Sequence, residues 1–465
     1  MKISTALAPV EEFLCGTGAL PEPPSGMAVL FTGPPPSLDD LCERVAERWS
    51  GIPLLHRTLL RPARHLWLRR HRWLPLDDFD VRTHVLDVHA EGQCGDGGLD
   101  DRAFADLLGR LVTQPVPGGL PPWWLRLVRL EPRPDGDERF ALVLSAHHAL
   151  MDGRSFETLL SKLLDGGSSH GDKLSAARAT AARRLQAARS EGQLADHRIS
   201  GTDRLLLLLS SGQALPLPSE APCPTRDLTW VDLDTDTVRA ARRALPGLGA
   251  TLNELLLAAS TGALRAVHGD PDAWPGIRHR PLYGVLSVDL RTPQEDETLG
   301  NIVSVVRVPL PLTVESPGER LAACRALLAA SVFGNGAETI ARVIGAASRL
   351  GPWALRRLSK RANSPSWNPV LCTALRWPRG PWSLSGAPLE RVIPLAPAEG
   401  RGSVNLVLTD CAGVFTLCVV SHTPAGYAQA LADAFVRELT SLARIGRPDP
   451  SAPAQVASTP SQHTG

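Results

Sequence analysis

The chain has almost no net charge and very little lysine. Its 49 Lys and Arg stand against 48 Asp and Glu, a formal charge of +1, so no overall field exists to gather nucleic acid or an anionic membrane. Lysine occurs only at Lys2, Lys162, Lys173 and Lys360. The other cations are arginines, a skew from which no function follows. The eight cysteines contain no C-x-x-C pair, which excludes a zinc knuckle or dithiol redox motif and predicts buried thiols in a reducing cytosol. No segment approaches the roughly 18 consecutive apolar residues of a spanning helix; apolar runs such as 205–209 stop at five. Pro9, Glu11 and Glu12 interrupt the amino terminus before it could form a secretory signal. No internal repeat is present.

What is present is 465 residues, 43% hydrophobic, enough for a large core or two adjoining ones. The first half reads as mixed α and β, with helices over 37–49 and 101–112 and strands over 84–89 and 124–130. The strongest strand is Phe140-Ala-Leu-Val-Leu-Ser-Ala-His-His148, nearly continuous in apolar residues, as expected where both faces are covered. Phe156, Leu159, Leu160, Leu163 and Leu164 then fall on one helical face. From 166 to 224 the composition turns to Gly, Ser, Ala, Arg and Pro, with a polar helix near 175–189, and reads as a linker. It separates a first lobe, 1–165, from a second, 225–446. The second is expected to hold a strand over 228–233 and a helix over 251–267, opened by a Thr251/Glu254 capping box. Strands follow over 282–288, 302–308, 404–408 and 414–420, the last two joined as a hairpin through 410–413, and a helix over 427–443. Residues 447–465, rich in Pro, Ser, Ala and Gln, read as a disordered tail.

One constellation carries chemistry. His147 and His148 are the one adjacent pair among 13 histidines, and they close the apolar strand just before Asp152 and Gly153. Neighbouring strand residues point to opposite faces, so one ring is expected to face a cavity and the other the packed interior. A strand-end imidazole beside an apolar wall suits a general base. Asp152 would orient the loop, and Gly153 would let the chain turn sharply into the following helix. A lone buried histidine is more often a hydrogen-bonded core residue than a catalyst, but two histidines, an acid and a glycine at one strand-to-helix turn depart from that pattern. No third ligand with suitable spacing accompanies them, so a metal site is not expected.

His147-His148-Ala-Leu-Met-Asp152-Gly153 resembles the H-H-x-x-x-D-G motif of acyltransferases that include peptide-synthetase condensation domains and bacterial wax ester synthase/diacylglycerol O-acyltransferases. The latter family fits over roughly 7–443. Pro9-Val-Glu-Glu-Phe13 echoes its P-x-D-x-x-F pattern, Asp78-Phe-Asp80 with His84-Val85 its D-F-D…H-V segment, and Pro122-Trp-Trp124-Leu125 its P-L-W-E step without the acid. Ala250-Thr-Leu-Asn253-Glu-Leu-Leu-Leu-Ala is similar to its A-T-V-N-D-V-L-L-A helix. Ser287-Val-Asp-Leu-Arg291 and Gly300-Asn-Ile-Val-Ser304 are similar to its strand and G-N-x-x-S element. The chain departs at Thr373-Ala-Leu-Arg-Trp-Pro378, where the family carries T-N-V-P-G-P.

The resemblance implies an α/β (α+β) fold of two chloramphenicol-acetyltransferase-like lobes forming a V around a central tunnel. It implies acyl transfer from acyl-CoA, a substrate rather than a cofactor, to the hydroxyl of a long-chain alcohol or diacylglycerol. His148 would be the base, Asp152 and Gly153 would share the catalytic motif, and His147 and an Asp152-paired Arg291 would support it structurally. Asn253, Asn301, Ser304 and Trp124 would contact substrate. The alternative is a condensation-like enzyme of secondary metabolism with a carrier-bound or CoA donor, or a catalytically silent member that binds lipid or a carrier protein. Trp123, Trp377 and Trp382 read as core or tunnel lining. The segment 340–358 reads as an amphipathic element, packed or lying on a lipid surface. Cytoplasmic placement is expected, peripheral at a membrane or lipid body if that surface is used, with no transmembrane segment and no nucleic-acid partner.

Overall fold

The computed structural model describes residues 4–15, 24–62, 69–90, 92, 97–115, 118–166, 210–217, 222–274, 280–333, 336–398 and 400–447. Most of the expected linker, the polar helix near 175–189, the 205–209 run and the tail from 448 lie outside the described residues.

The first half supplies β1 (Thr5–Ala6), α1 (Pro9–Leu14), β2 (Pro24–Thr32), α2 (Leu38–Trp49), β3 (Arg57–Leu60), β4 (Arg72–Pro75), β5 (Val85–Asp87), α3 (Asp101–Leu111), β6 (Trp123–Leu130), β7 (Arg139–His147), α4 (Gly153–Leu163) and β8 (Asp165–Gly166). The second half supplies β9 (Asp227–Leu233), α5 (Thr235–Arg243), α6 (Leu252–His268), β10 (Tyr283–Asp289), β11 (Val303–Pro309), α7 (Pro317–Phe333), α8 (Gly336–Leu350) and α9 (Pro352–Ala362). It ends with β12 (Val370–Arg376), β13 (Trp382–Leu384), β14 (Ala387–Leu395), β15 (Val404–Cys411), β16 (Val414–Ser421) and α10 (Tyr427–Gly446). Two mixed sheets organise the molecule, one in the order β5-β6-β7-β2-β14-β13-β8 and the other β11-β10-β12-β15-β16-β9.

Strand β7 lies inside the first sheet between β6 and β2, antiparallel to both. Met27, Val29, Leu125, Leu142 and Leu144 face Leu41, Trp49, Phe156 and Leu160 of α2 and α4. Ala28, Leu30, Val128, Ala141 and Val143 face Phe104, Leu107 and Leu108 of α3. Both faces are covered, which is why β7 reads as an almost unbroken apolar run.

The linear division into lobes needs correcting. β13 and β14 belong by sequence to the 225–446 segment, yet β14 pairs with β2 from Leu389↔Phe31 to Leu395↔Gly26. Trp377, Trp382, Leu384 and Val392 accordingly sit in the first lobe's core. Pairing β14 against β2 removes an open sheet edge that the first 165 residues cannot close themselves. Leu228, Cys418 and Val420 join Ala28, Leu30 and Val143 in a further cluster, so the two lobes also share a core.

Local signals hold elsewhere. Thr251 and Glu254 form the capping box, with Thr251 N donating to Glu254 Oε2 at 2.7 Å and Glu254 N to Thr251 Oγ1 at 3.1 Å. β15 and β16 form the expected hairpin, turning through Ala412 (φ 54°) and Gly413 (φ 93°). The amphipathic segment over 340–358 is two helices, broken where Gly351 takes φ 116° before Pro352. Cys15, Cys324, Cys372, Cys411 and Cys418 are buried.

Candidate active site

Strand β7 ends at His147, and the next five residues form the turn into α4. His147 is 1% exposed. Its backbone N–H donates to the Pro122 carbonyl at 2.9 Å, and its Nδ1 accepts the Ala149 N–H at 3.1 Å. An Nδ1 that accepts carries no hydrogen, so the neutral ring holds its proton on Nε2. His148 is half-buried, and its Nδ1 lies 3.4 Å from the Met151 carbonyl oxygen. A carbonyl can only accept, so this Nδ1 carries the hydrogen and Nε2 is left as the basic nitrogen. The two neighbours thus take opposite tautomers. Burial pushes the His148 pKa below its ordinary value, opposed by the Met151 carbonyl and the Asp152 carboxylate, so the ring is neutral and able to take a proton near pH 7.

Asp152 is 2% exposed and caps α4. Its Oδ1 accepts from Ser155 N at 2.9 Å and Arg291 Nη2 at 3.0 Å, and its Oδ2 from Arg291 Nη1 at 2.9 Å and Ile302 N at 3.0 Å. Arg291 is completely buried. Its remaining donors reach the Thr298 carbonyl, Asp289 Oδ1 and the Gly300 carbonyl. This is a two-pronged guanidinium–carboxylate pair across the lobe boundary, with further hydrogen bonds around both charges, the condition under which a buried pair can be tolerated.

The second lobe reaches the motif a second time. Asn301 Nδ2 donates to the His148 carbonyl at 3.0 Å and the Ala149 carbonyl at 2.8 Å, tying the loop that carries His148 to the segment before β11. Gly300 turns that segment at φ 122°, a conformation costly for other residues. Arg154 bonds Asp296 Oδ1 at 2.8 Å, another link across the boundary. A cleft of about 620 Å³ opens beside this junction, walled by Ile52, Leu54, Arg57 and Trp73 of the first lobe and by residues 299–302 of the second.

Other expected site residues are placed differently. Gly153 has no left-handed backbone, and a Cβ there would meet nothing within 4 Å. The turn therefore does not require glycine. Its amide, first in α4, makes no hydrogen bond among the described residues. Asn253 Oδ1 accepts from Ala374 N at 3.2 Å, joining α6 to β12. Ser304 Oγ donates to the Ala337 carbonyl at 2.7 Å. Both polar groups brace the second lobe. Trp124 stacks on His84, with ring centroids 4.3 Å apart, while Trp123, Trp377 and Trp382 are core. Where the chain departs from the family's T-N-V-P-G-P pattern, β12 runs on to Arg376 and Trp377 is buried. No group of three or more potential metal ligands occurs among the described residues.

Sequence reasoning missed Ser155. Its buried hydroxyl lies 2.9 Å from Asp152 Oδ1 and 2.8 Å from the Gly300 carbonyl, and accepts from Gly300 N at 3.0 Å. The available signal was its position three residues after a helix-capping aspartate.

The family model for the wax ester synthase/diacylglycerol acyltransferase catalytic domain matches residues 22–256, and that for the WS/DGAT C-terminal domain matches 299–443. A Mycobacterium tuberculosis protein named as a diacylglycerol O-acyltransferase is 29% identical over 306 residues, 61% of this chain and 66% of its own length. A second from that organism is 27% identical over 286 residues, 58% of this chain and 59% of its own length. The matches thus span less than two thirds of these relatives. The solved wax ester synthase/diacylglycerol acyltransferase of Marinobacter aquaeolei VT8 superposes with a TM-score of 0.61 at 17% identity, covering 95% of this chain and all of that one. The first condensation domain of the CDA synthetase gives 0.61 at 15%, covering 95% and 96%. Both solved structures share the two-lobed α/β fold. With both domain models matched in order along the sequence, the chain belongs to the wax ester synthase/diacylglycerol acyltransferase family.

Proposed function

We propose that the protein transfers a fatty acyl group from acyl-CoA to the hydroxyl of a long-chain alcohol or diacylglycerol, with His148 as general base. The observation that carries this reading is the tautomer of His148: Nδ1 is committed to the Met151 carbonyl, which leaves a neutral Nε2 to accept a proton. In the reaction, Nε2 takes the acceptor hydroxyl proton while its oxygen attacks the thioester carbonyl. The tetrahedral oxyanion collapses, the carbon–sulfur bond breaks, and the proton passes from the imidazolium to the departing CoA thiolate. The Gly153 amide, at the start of α4, suits a donor to that oxyanion. Asp152, Arg291 and Asn301 hold the loop and do not touch substrate in this mechanism.

The test is mass spectrometry of products after the pure protein meets mixed acyl-CoAs with alcohols, diacylglycerol and amines. An oxygen ester is expected, and His148→Ala should lower its formation by about 10² to 10⁴-fold with the fold retained. Exclusive use of a carrier-bound donor or of an amine would overturn the substrate assignment. Full activity in His148→Ala would overturn the base.

A further inference from the structure

The D-F-D…H-V segment, which the proposed chemistry does not use, ends in a buried histidine that reaches the motif through two prolines. Asp80 opens the short 3-10 turn Val81–His84, its Oδ1 accepting from Arg82 N at 3.0 Å. The turn presents the His84 ring, 1% exposed, edge-on to Phe79 at 4.7 Å and stacked on Trp124 at 4.3 Å between ring centroids. Trp123 lies against it at 4.9 Å. Its Nε2 is 3.0 Å from the Pro121 carbonyl oxygen, which can only accept, so Nε2 carries the hydrogen. Burial pushes the His84 pKa down to about 4 against the opposing pull of that carbonyl. The ring is therefore neutral, with its single hydrogen committed to Pro121.

Pro121 and Pro122 are both buried. Proline has no N–H and its ring fixes φ, so the pair is a stiff step whose polar backbone atoms are its two carbonyls. The Pro121 carbonyl meets His84 and also accepts from Trp123 N at 2.9 Å, and the Pro122 carbonyl accepts the His147 N–H at 2.9 Å. That last bond lies one residue beyond Trp123↔Ala146, where the pairing of β6 with β7 ends. The His147 carbonyl then accepts from Leu150 N at 2.8 Å, which starts the turn carrying His148.

We infer that His84 is a positioning residue: through Pro121 and Pro122 it sets where β7 ends, and so where the His148 ring is presented. Its effect on rate rests on the acyl-transfer reading; its effect on the strand end does not. Packing alone would be satisfied by any ring of that size. Packing does not call for a hydrogen bond to a proline step that ends on the motif. A displacement of about 1 Å in a reacting group can cost on the order of 10²-fold in rate, so a small release at Pro122 reaches turnover before it reaches the fold.

The test compares His84→Phe, which keeps a ring and loses the donor, with His84→Gln, which keeps an N–H in reach of Pro121. His84→Phe should lower kcat for ester formation by roughly 10- to 10²-fold with KM unchanged. Hydrogen exchange should quicken in peptides spanning 144–151 and stay at the wild-type rate elsewhere. His84→Gln should restore both. Pro122→Ala, which frees φ and leaves His84 in place, should lower kcat in the same way, and it carries the test if His84→Phe does not fold. Equal losses in His84→Phe and His84→Gln would overturn the inference, as would a lower melting temperature with kcat and exchange over 144–151 untouched. So would a wild-type rate in Pro122→Ala. Quickened exchange over 144–151 in His84→Phe, when the wild type forms no ester, would uphold the coupling and overturn the acyl-transfer reading instead.

Discussion

At the scale of single residues, the two histidines differ in one hydrogen bond each. His147 accepts at Nδ1 inside the fold, whereas His148 donates from Nδ1, which leaves its Nε2 without a hydrogen. His147→Ala should therefore cost stability and soluble yield, measured by thermal melting. An active, normally stable His147→Ala beside an active His148→Ala would remove both assignments. Because burial lowers the His148 pKa, the neutral base form is gained as pH rises through a value below the ordinary 6.5. The acid limb of kcat/KM should fall below 6.5 and vanish in His148→Ala; a limb above 6.5 would contradict this. For the Asp152–Arg291 pair, removing one partner strands a buried charge at a cost of roughly 3–5 kcal/mol. Asp152→Asn and Arg291→Met should each lower stability and rate, and the double variant should lose less than the sum, as a double-mutant cycle in denaturant would show. Strictly additive losses would count against coupling. Gly153→Ala tests the open space beside the motif, because no protein atom resists the added methyl. Unchanged melting with reduced transfer would place substrate there, and unchanged transfer would exclude it.

At the scale of elements, β14 is the piece that sequence order misplaces. Its pairing with β2 brings Leu395 opposite Gly26. A Cβ at Gly26 would come within 2.7 Å of the Leu144 carbonyl oxygen and 3.3 Å of a Leu395 methyl, so three strands close over a position with no room for a side chain. Gly26→Ala should destabilise by about 1–3 kcal/mol through overpacking, read as a shift in the denaturation midpoint. A neutral effect would mean that β14 is held more loosely than its register indicates. Helix α4 works differently, because its amino-terminal cap is also the acid that meets Arg291. Forming the helix and positioning the motif are therefore one event.

At the scale of the molecule, the site exists only where the halves meet. His148 and Asp152 come from the first half, and Arg291, Gly300, Asn301 and the Ile302 amide come from the second. A fragment stopping at 166 would leave the β2 edge unpaired and Ala28, Leu30 and Val143 partly uncovered. It should aggregate when expressed alone, as gel filtration would reveal. A soluble monomer that unfolds cooperatively would show that the first lobe does not need the strand from the second.

Local sequence was enough for whatever depends on neighbours in the chain. The apolar run of β7, the Thr251/Glu254 cap, the turn at 410–413 and the periodicity of α4 are set by alternation, capping and backbone preference within a few residues. The motif was legible for the same reason, since His147, His148, Asp152 and Gly153 occupy one turn. Arg291 could be paired with Asp152 only through family resemblance, because no local pattern encodes a contact between residues 139 apart in the sequence. The crossing of β14, the use of Asn301 as a tether, the diversion of Ser304 and Asn253 to bracing, and Ser155 joining the pair all depend on which edges and buried polar atoms remain unsatisfied once the sheets assemble. Those debts are defined by the packed structure, where a missing partner has a free-energy cost, and no pattern of neighbouring residues carries them.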